Sequence, residues 1–178
     1  MDVLVRGRLT TLRPAVAGDV DRLVAWHVDP DVSRYWDDET FTRDEMAERL
    51  ARPDVDAWIV EENGEPVGYL QTHAEAASGG GESATARPAD RAAVGGSGGL
   101  DMFLIPAARG RGLGPDAARA MARHLLDERG YARVTVDPYA WNEAAIRSWE
   151  RAGFAEISRG HPPDEHHTSE WILMEFVG

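Results

Sequence analysis

Arg109, Gly110, Arg111, Gly112, Leu113 and Gly114 form the stretch whose residue types and spacing are best suited to chemistry. They follow an apolar run over 99–105 that reads as a strand ended by Pro106. Behind them, residues 115–129 have helical spacing, with Ala118, Met121, Ala122 and Leu125 on one face. Glycine lets the backbone approach an anion closely and adopt positive φ, so successive N–H groups can aim at one ligand, while a helix start adds orphan donors and a favourable dipole. Arg109 and Arg111 add flanking charge. A pyrophosphate suits this turn, although a glycine-rich turn by itself is equally a flexible loop or another phosphate cradle.

Other groups able to do chemistry are more scattered. Trp26, Tyr35, Trp36, Trp58 and Tyr69 can wall a pocket, since aromatic faces suit sugar rings and cations, or they can simply be core. Tyr35 and Trp36 are the better pocket candidates, because they run into the acidic sequence Asp37-Asp38-Glu39; the same run also reads as a solvated loop. His161, His166 and His167 lack an established ligand spacing, so no metal is expected and a polar hairpin loop is the preferred reading.

The elements that must position these residues can be read in outline. Residues 8–13 resemble a strand closed by Pro14, and Asp19 is placed to cap a helix carrying Val20, Leu23, Val24 and His27. Thr42 followed by Glu45 is a capping-box pattern for a short helix over 42–51. Two β-rich runs, 57–60 and 66–72, flank Asn63-Gly64, whose residues tolerate the positive φ of a tight turn, which predicts an antiparallel hairpin. Residues 76–99 turn to Gly, Ser, Ala and Pro with too few apolar side chains to offset ordering, and predict a flexible insertion. A short strand over 132–136, a helix over 142–151 stopped at Gly153, and a tail alternating Trp171 and Leu173 with Ile172, Met174 and Phe176 complete the chain. Strands alternating with helices after an early hairpin imply a mixed α/β sheet.

Composition narrows the function. At 178 residues the chain fits one domain, 1–178. Its lack of cysteine excludes disulfides, thiolate metal sites and a Cys nucleophile, and suits the cytoplasm. No apolar run approaches a membrane span and the first residues lack a signal-peptide core, so no membrane partner is expected. A net charge of -12 repels nucleic acid and attracts cations, though excess carboxylates also serve solubility or a salt-adapted host.

Arg109, Gly112 and Gly114 after a strand match the Arg/Gln-x-x-Gly-x-Gly/Ala signature of the GCN5-related N-acetyltransferase (GNAT) superfamily, and the sequence from Asn142 through Ala145 and Trp149 to Gly153-Phe154 resembles its Asn-x-x-Ala-x-x-x-Tyr-x-x-x-Gly-Phe helix. Within that superfamily the chain is similar to aminoglycoside 6′-N-acetyltransferases and to siderophore acyltransferases. The matching pieces are Ser33 to Trp36, Asn63 to Tyr69 with Gln71, Gly99-Leu100-Asp101, and Val136-Asp137-Pro138.

The resemblance implies a central mixed, mostly antiparallel sheet opened into a V between the 99–105 and 132–136 strands. It implies acetyl-CoA as acyl donor along Phe103, Leu104, Arg109, Gly110, Arg111, Gly112, Leu113, Gly114, Asn142, Ala145 and Trp149. The implied acceptor is a small cationic amine held by Tyr35, Trp36, Asp101 and Asp137, and the implied assembly is a monomer or homodimer. Asp101 corresponds to the acid that serves as base or amine anchor; its alternative is a solvated strand-end carboxylate. Asp137 before Pro138 is also an ordinary turn residue, and Asn142 also a helix cap. Trp149 departs from the usual Tyr: an indole N–H only donates and is a very weak acid, which leaves water or another group such as Tyr139 to protonate the thiolate. Two alternatives stay open, an acyltransferase of siderophore precursors or protein N-termini, and a non-catalytic CoA sensor.

Overall fold

The computed structural model describes residues 3–75, 96–160 and 169–178; His161, His166, His167 and nearly all of the 76–99 segment lie outside them. Their described strands form one eight-stranded sheet, ordered β1-β2-β3-β4-β5-β6-β8-β7. The strands are β1 Val5–Arg6, β2 Thr11–Pro14, β3 Val55–Glu62, β4 Glu65–Glu75, β5 Ser97–Leu104, β6 Arg133–Val136, β7 Phe154–Gly160 and β8 Trp171–Phe176. Helices α1 Val20–Val28, α2 Pro30–Ser33, α3 Arg43–Leu50, α4 Leu113–Arg123 and α5 Glu143–Ala152 flank it.

Sequence alternation decides which side each helix covers. Ile59, Tyr69 and Phe103 point to one face, where Val20, Leu23, Val32 and Met46 of α1 to α3 pack on them. Val60, Leu70 and Leu104 point to the other, against Ala117, Ala118 and Met121 of α4 and Trp149 and Ala152 of α5. Burying each large apolar side chain stabilises the fold by about 1.5–3 kcal/mol, so both faces are strongly specified. Among the described residues no helix is long and apolar enough to cross a membrane.

Several expected elements are present with shifted bounds. The β3–β4 hairpin turns at Asn63 and Gly64, with φ of 52° and 83°, the two positive values that a tight hairpin turn requires. Thr42 caps α3, its hydroxyl accepting from the Glu45 N–H while the Glu45 carboxylate accepts from the Thr42 N–H. The first strand, expected at 8–13, is instead a small hairpin of β1 and β2, and Pro14 belongs to β2, opposite Trp58. Its turn is held by Asp116, whose carboxylate accepts from the N–H groups of Arg8, Leu9 and Thr10 at 2.9 Å each.

Asp19 does not cap α1 through its side chain. Its buried carboxylate binds the Arg13 guanidinium at 2.7 and 2.8 Å, Arg22 at 3.0 Å and the Val16 N–H at 2.9 Å, because two cations compete better for it than orphan helix amides. Burial alone would raise this carboxyl, but the Arg13 and Val16 hydrogen bonds outweigh burial and hold it below the usual carboxylate range. The helix expected over 115–129 begins earlier, at Leu113, and changes at His124–Glu128 into a π-helical turn. The edge strand β7, mostly exposed, carries almost no apolar alternation and was not legible.

The opening of the sheet follows from register. Among the described residues β5 and β6 pair in parallel only through Ser97 with Arg133, Gly98 with Val134, and Gly99 with Thr135. Beyond that point β5 stays with β4 as far as Leu104, whereas Val136 turns to Met174 of β8. A V-shaped gap therefore opens beside Leu100, Asp101 and Met102.

Candidate active site

Backbone alternation exposes polar groups along one side of the V. The Ile105 N–H donates to the Val67 carbonyl at 3.0 Å, so Ile105, Phe103 and Asp101 aim their amides at β4, and those of Leu104 and Met102 face the gap. Phe103 itself is buried among Trp26, His27, Trp36 and Tyr69, which leaves its side chain no part in the cleft.

At the open end of the gap, past Leu104, comes the glycine turn. Gly110 and Gly112 have φ of 73° and 80°, and Gly112 is the N-cap of α4 without any capping side chain. Among the described residues the N–H groups of residues 110–114 have no hydrogen-bond acceptor. Five consecutive free amides at a helix start form a cradle with positive potential, the arrangement a diphosphate fits. The flanking arginines are committed elsewhere. Arg109 donates from Nε to the Leu104 carbonyl at 3.0 Å and from Nη2 to the Asp31 carbonyl at 2.6 Å, and Arg111 pairs with Glu62 at 2.6 Å. The anion-binding character of this turn thus resides in its main chain, with Arg109 bracing the turn against α2.

On the opposite side of the V stands α5. Asn142 caps it, Oδ1 accepting from the Ala145 N–H at 3.1 Å, and Gly153 ends it at φ 107°. A Cβ on Gly114 would lie 3.3 Å from Ser148 Oγ and 3.7 Å from Met102 Cε, so α4, α5 and β5 converge closely there.

Between these walls is a cleft of roughly 390 Å3. It brings together Tyr35, Trp36, Asp101, Asp137, Tyr139, Asn142, Ala145 and Trp149, which the sequence scatters over more than a hundred positions. Trp149 is buried, its ring edge-on to Phe154 at 5.4 Å. Asp101 accepts from Gln71 Nε2 at 2.7 Å and lies 3.6 Å from His73 Nδ1. Trp36 packs edge-on against His27, Tyr69 and Phe103, so it joins the cleft to the small core beneath.

The mouth has an order that the sequence did not disclose. Tyr35, Trp141 and Tyr139 stack as three consecutive rings, with centroids 5.7 and 5.5 Å apart. The Tyr139 hydroxyl, a candidate proton donor by sequence, donates to Asp37. Burial, and then Asp37, pushes this phenol up to about 12. Asp37 and Asp38 both sit at positive φ, 53° and 55°, a conformation that Asp tolerates better than most residues. Glu39, Arg49 and Gln71 also line the cleft and were not singled out as site residues; only their neighbourhood in an acidic loop and a strand hinted at them. Among the described residues no group of three His, Cys, Asp or Glu could hold a metal ion.

A sheet opened by a short parallel pairing, with an amide cradle at the head of α4 and a capped helix opposite, defines an acetyltransferase architecture. Residues 15–161 match the acetyltransferase (GNAT) domain family, and the chain belongs to it. It is an acyl-CoA-dependent N-acetyltransferase. One relative, an aminoglycoside N(6′)-acetyltransferase type 1 from Klebsiella pneumoniae, is 31% identical over 164 residues, covering 86% of this chain and 78% of its own. Among solved structures, AAC(6′)-Ib in complex with paromomycin and acetyl-CoA superposes with a TM-score of 0.75 at 26% identity, over 94% of this chain and 93% of that one. The ribosomal L7/L12 α-N-protein acetyltransferase RimL, at 12% identity and a TM-score of 0.76 over 100% of this chain and 96% of its own, shares the fold.

Proposed function

We propose that the protein acts as one domain in the cytoplasm to move an acetyl group from acetyl-CoA to the 6′-amine of an aminoglycoside. The observation that carries this reading is a juxtaposition: Asp37, Glu39, Asp101 and Asp137 line one cleft, and Met102 of the same lining comes within 3.7 Å of a Cβ placed on Gly114 of the amide cradle. Four carboxylates attract and orient a ligand bearing several ammonium groups, and the stacked rings at the mouth offer faces to sugar rings. The relatives named for aminoglycoside acetylation, and the solved complex of one with an aminoglycoside and acetyl-CoA, support the same acceptor.

The thioester supplies the acetyl group; the transfer forms an amide bond and breaks the carbon–sulfur bond, and of the two protons the ammonium nitrogen loses, one is released and one ends on the CoA sulfur. The free amides of residues 110–114 suit the diphosphate of the donor, while the gap-facing backbone of Met102 and Leu104, together with Asn142, Ala145 and Trp149, suits the rest of it. Asp101, two residues past the last pairing of β5 with β6, is the group we assign to hold the ammonium and accept its proton, directly or through water. Asp137 and the Tyr35–Trp36 segment hold the remainder of the acceptor. Trp149 packs and excludes water, since an indole cannot serve as an acid, and the departing thiolate takes its proton from water.

Thiol release from acetyl-CoA, followed with a panel of aminoglycosides bearing either a 6′-amine or a 6′-hydroxyl, tests this reading. Turnover confined to the 6′-amine compounds is expected. Absence of turnover across the panel, with a peptide N-terminus or a hydroxylysine-type amine acetylated instead, would replace the acceptor.

A further inference from the structure

We propose that Gln71 is a positioning residue for acetyl transfer, an amide clamped so that its N–H holds one oxygen of Asp101 and leaves the other oxygen to the acceptor ammonium. The proposal rests on the assignment of Asp101 made above. Gln71 lies directly opposite Asp101 in the β4–β5 ladder and is 7% exposed. Its Oε1 accepts from Arg49 Nη2 at 3.3 Å and from the Tyr69 hydroxyl at 3.2 Å, while its Nε2 donates to Asp101 Oδ2 at 2.7 Å.

These partners fix which way the amide points. A guanidinium only donates and a carboxylate only accepts, so the reversed amide would set N–H against N–H at Arg49 and oxygen against oxygen at Asp101. Gln71 therefore passes the positive character of Arg49, which has no carboxylate partner among the described residues, to a carboxylate it does not touch. On the other side, His73 approaches the same Oδ2 at 3.6 Å. Its ring lies across Gly99, where a Cβ would come within 2.0 Å of Nε2. Oδ2 is thus hydrogen-bonded by Gln71 and approached by His73, and Oδ1 has no partner among the described residues. The charged and titratable groups facing this pair are Arg49 from α3, Tyr69 and His73 from β4, and Asp37, Glu39 and Asp137 across the cleft.

A carboxylate held this way presents one oxygen in a fixed direction. Two variants separate this role from packing. Gln71→Met keeps the volume and removes both ends of the clamp; Gln71→Glu keeps an acceptor for Arg49 and Tyr69 but sets an oxygen against Asp101. With an aminoglycoside acceptor, kcat falls about tenfold in Gln71→Met and further in Gln71→Glu, while acetyl-CoA affinity is retained. In an Asp101→Asn background, Gln71→Met costs less than about twofold, because its effect passes through the carboxylate already removed. Losses that multiply in the double variant overturn the proposal. Should the wild type acetylate no aminoglycoside, the acceptor reading fails separately, and the free protein still decides the matter here. Its Gln71 side-chain amide signals must move with the titration of Asp101 and lose that movement in Asp101→Asn; signals indifferent to Asp101 overturn the proposal.

Discussion

The Tyr139 hydroxyl donates to the Asp37 carboxylate, so the loop after β6 and the loop after α2 are tied together at the mouth of the cleft. A phenol raised to about 12 by burial and by Asp37 is a poor proton donor at neutral pH. Tyr139→Phe should therefore leave kcat within about threefold while raising the KM of the amine, since loss of a single hydrogen bond loosens Asp37. A collapse of kcat with unchanged KM in steady-state assays would instead make Tyr139 the acid.

Asp101→Asn should lower kcat by about two to four orders of magnitude, the usual contribution of a positioned general base, and leave acetyl-CoA binding intact. Calorimetry for the donor and thiol release for the reaction separate the two effects. A variant with near wild-type turnover would reduce Asp101 to a carboxylate at a strand end.

Gly112→Ala tests the amide cradle. At φ 80° an added Cβ is strained whatever room surrounds it. We expect a loss of about 1 kcal/mol in stability and about tenfold in acetyl-CoA affinity, measured by thermal unfolding and calorimetry. Arg111→Ala, which removes only the pairing with Glu62, should weaken donor binding by less than about threefold, because an exposed pair contributes little.

His27 should make the fold sensitive to mild acid. It is 1% exposed, and its neutral ring sits edge-on to Phe41 at 4.9 Å and Phe103 at 5.1 Å. Burial first, and Arg49 second, lower its pKa from 6.5 to about 4. The folded value lies below the unfolded one, so its contribution is present above pH 6.5 and is lost as pH falls toward 4. That difference corresponds to roughly 3 kcal/mol. Urea unfolding at pH 7 and pH 4.5 should show the loss, and His27→Phe should remove most of the pH dependence in that window.

Asp116 ties the β1–β2 turn to α4. Burial raises its carboxyl, but the N–H groups of Leu9, Arg8 and Thr10 and the Thr10 hydroxyl more than compensate and hold it below the usual range. Asp116→Ala leaves those donors to water and should cost about 2 kcal/mol in denaturant unfolding at neutral pH. The wild type should lose the same contribution only below the ordinary carboxylate range, as the folded group takes up its proton.

What the sequence disclosed was set by local chemistry. Asn63-Gly64, Thr42 with Glu45, and Gly112 before α4 each specify their own backbone, and all three are where residue type alone puts them. The candidate site could be proposed from sequence because the glycine turn and the helix beginning at Asn142 are contiguous motifs. Pairings across the fold were not. Nothing near Asp19 predicts that Arg13 and Arg22 claim its carboxylate, nothing near Tyr139 points to Asp37, and Arg109 shows no sign of spending its guanidinium on the carbonyls of Leu104 and Asp31. Such partners are chosen by tertiary geometry, which residue spacing does not carry.

Among the described residues three pairs join β5 to β6, and that brief seam is all the ladder they provide between the β1–β5 half of the sheet and the β6–β8–β7 half. A molecule seated between the halves supplies hydrogen bonds that a neighbouring strand would otherwise make, and so substitutes for a missing piece of architecture. Occupancy should stiffen the molecule as a whole, coupling the unfolding of one half to the other and lifting the melting temperature with donor concentration.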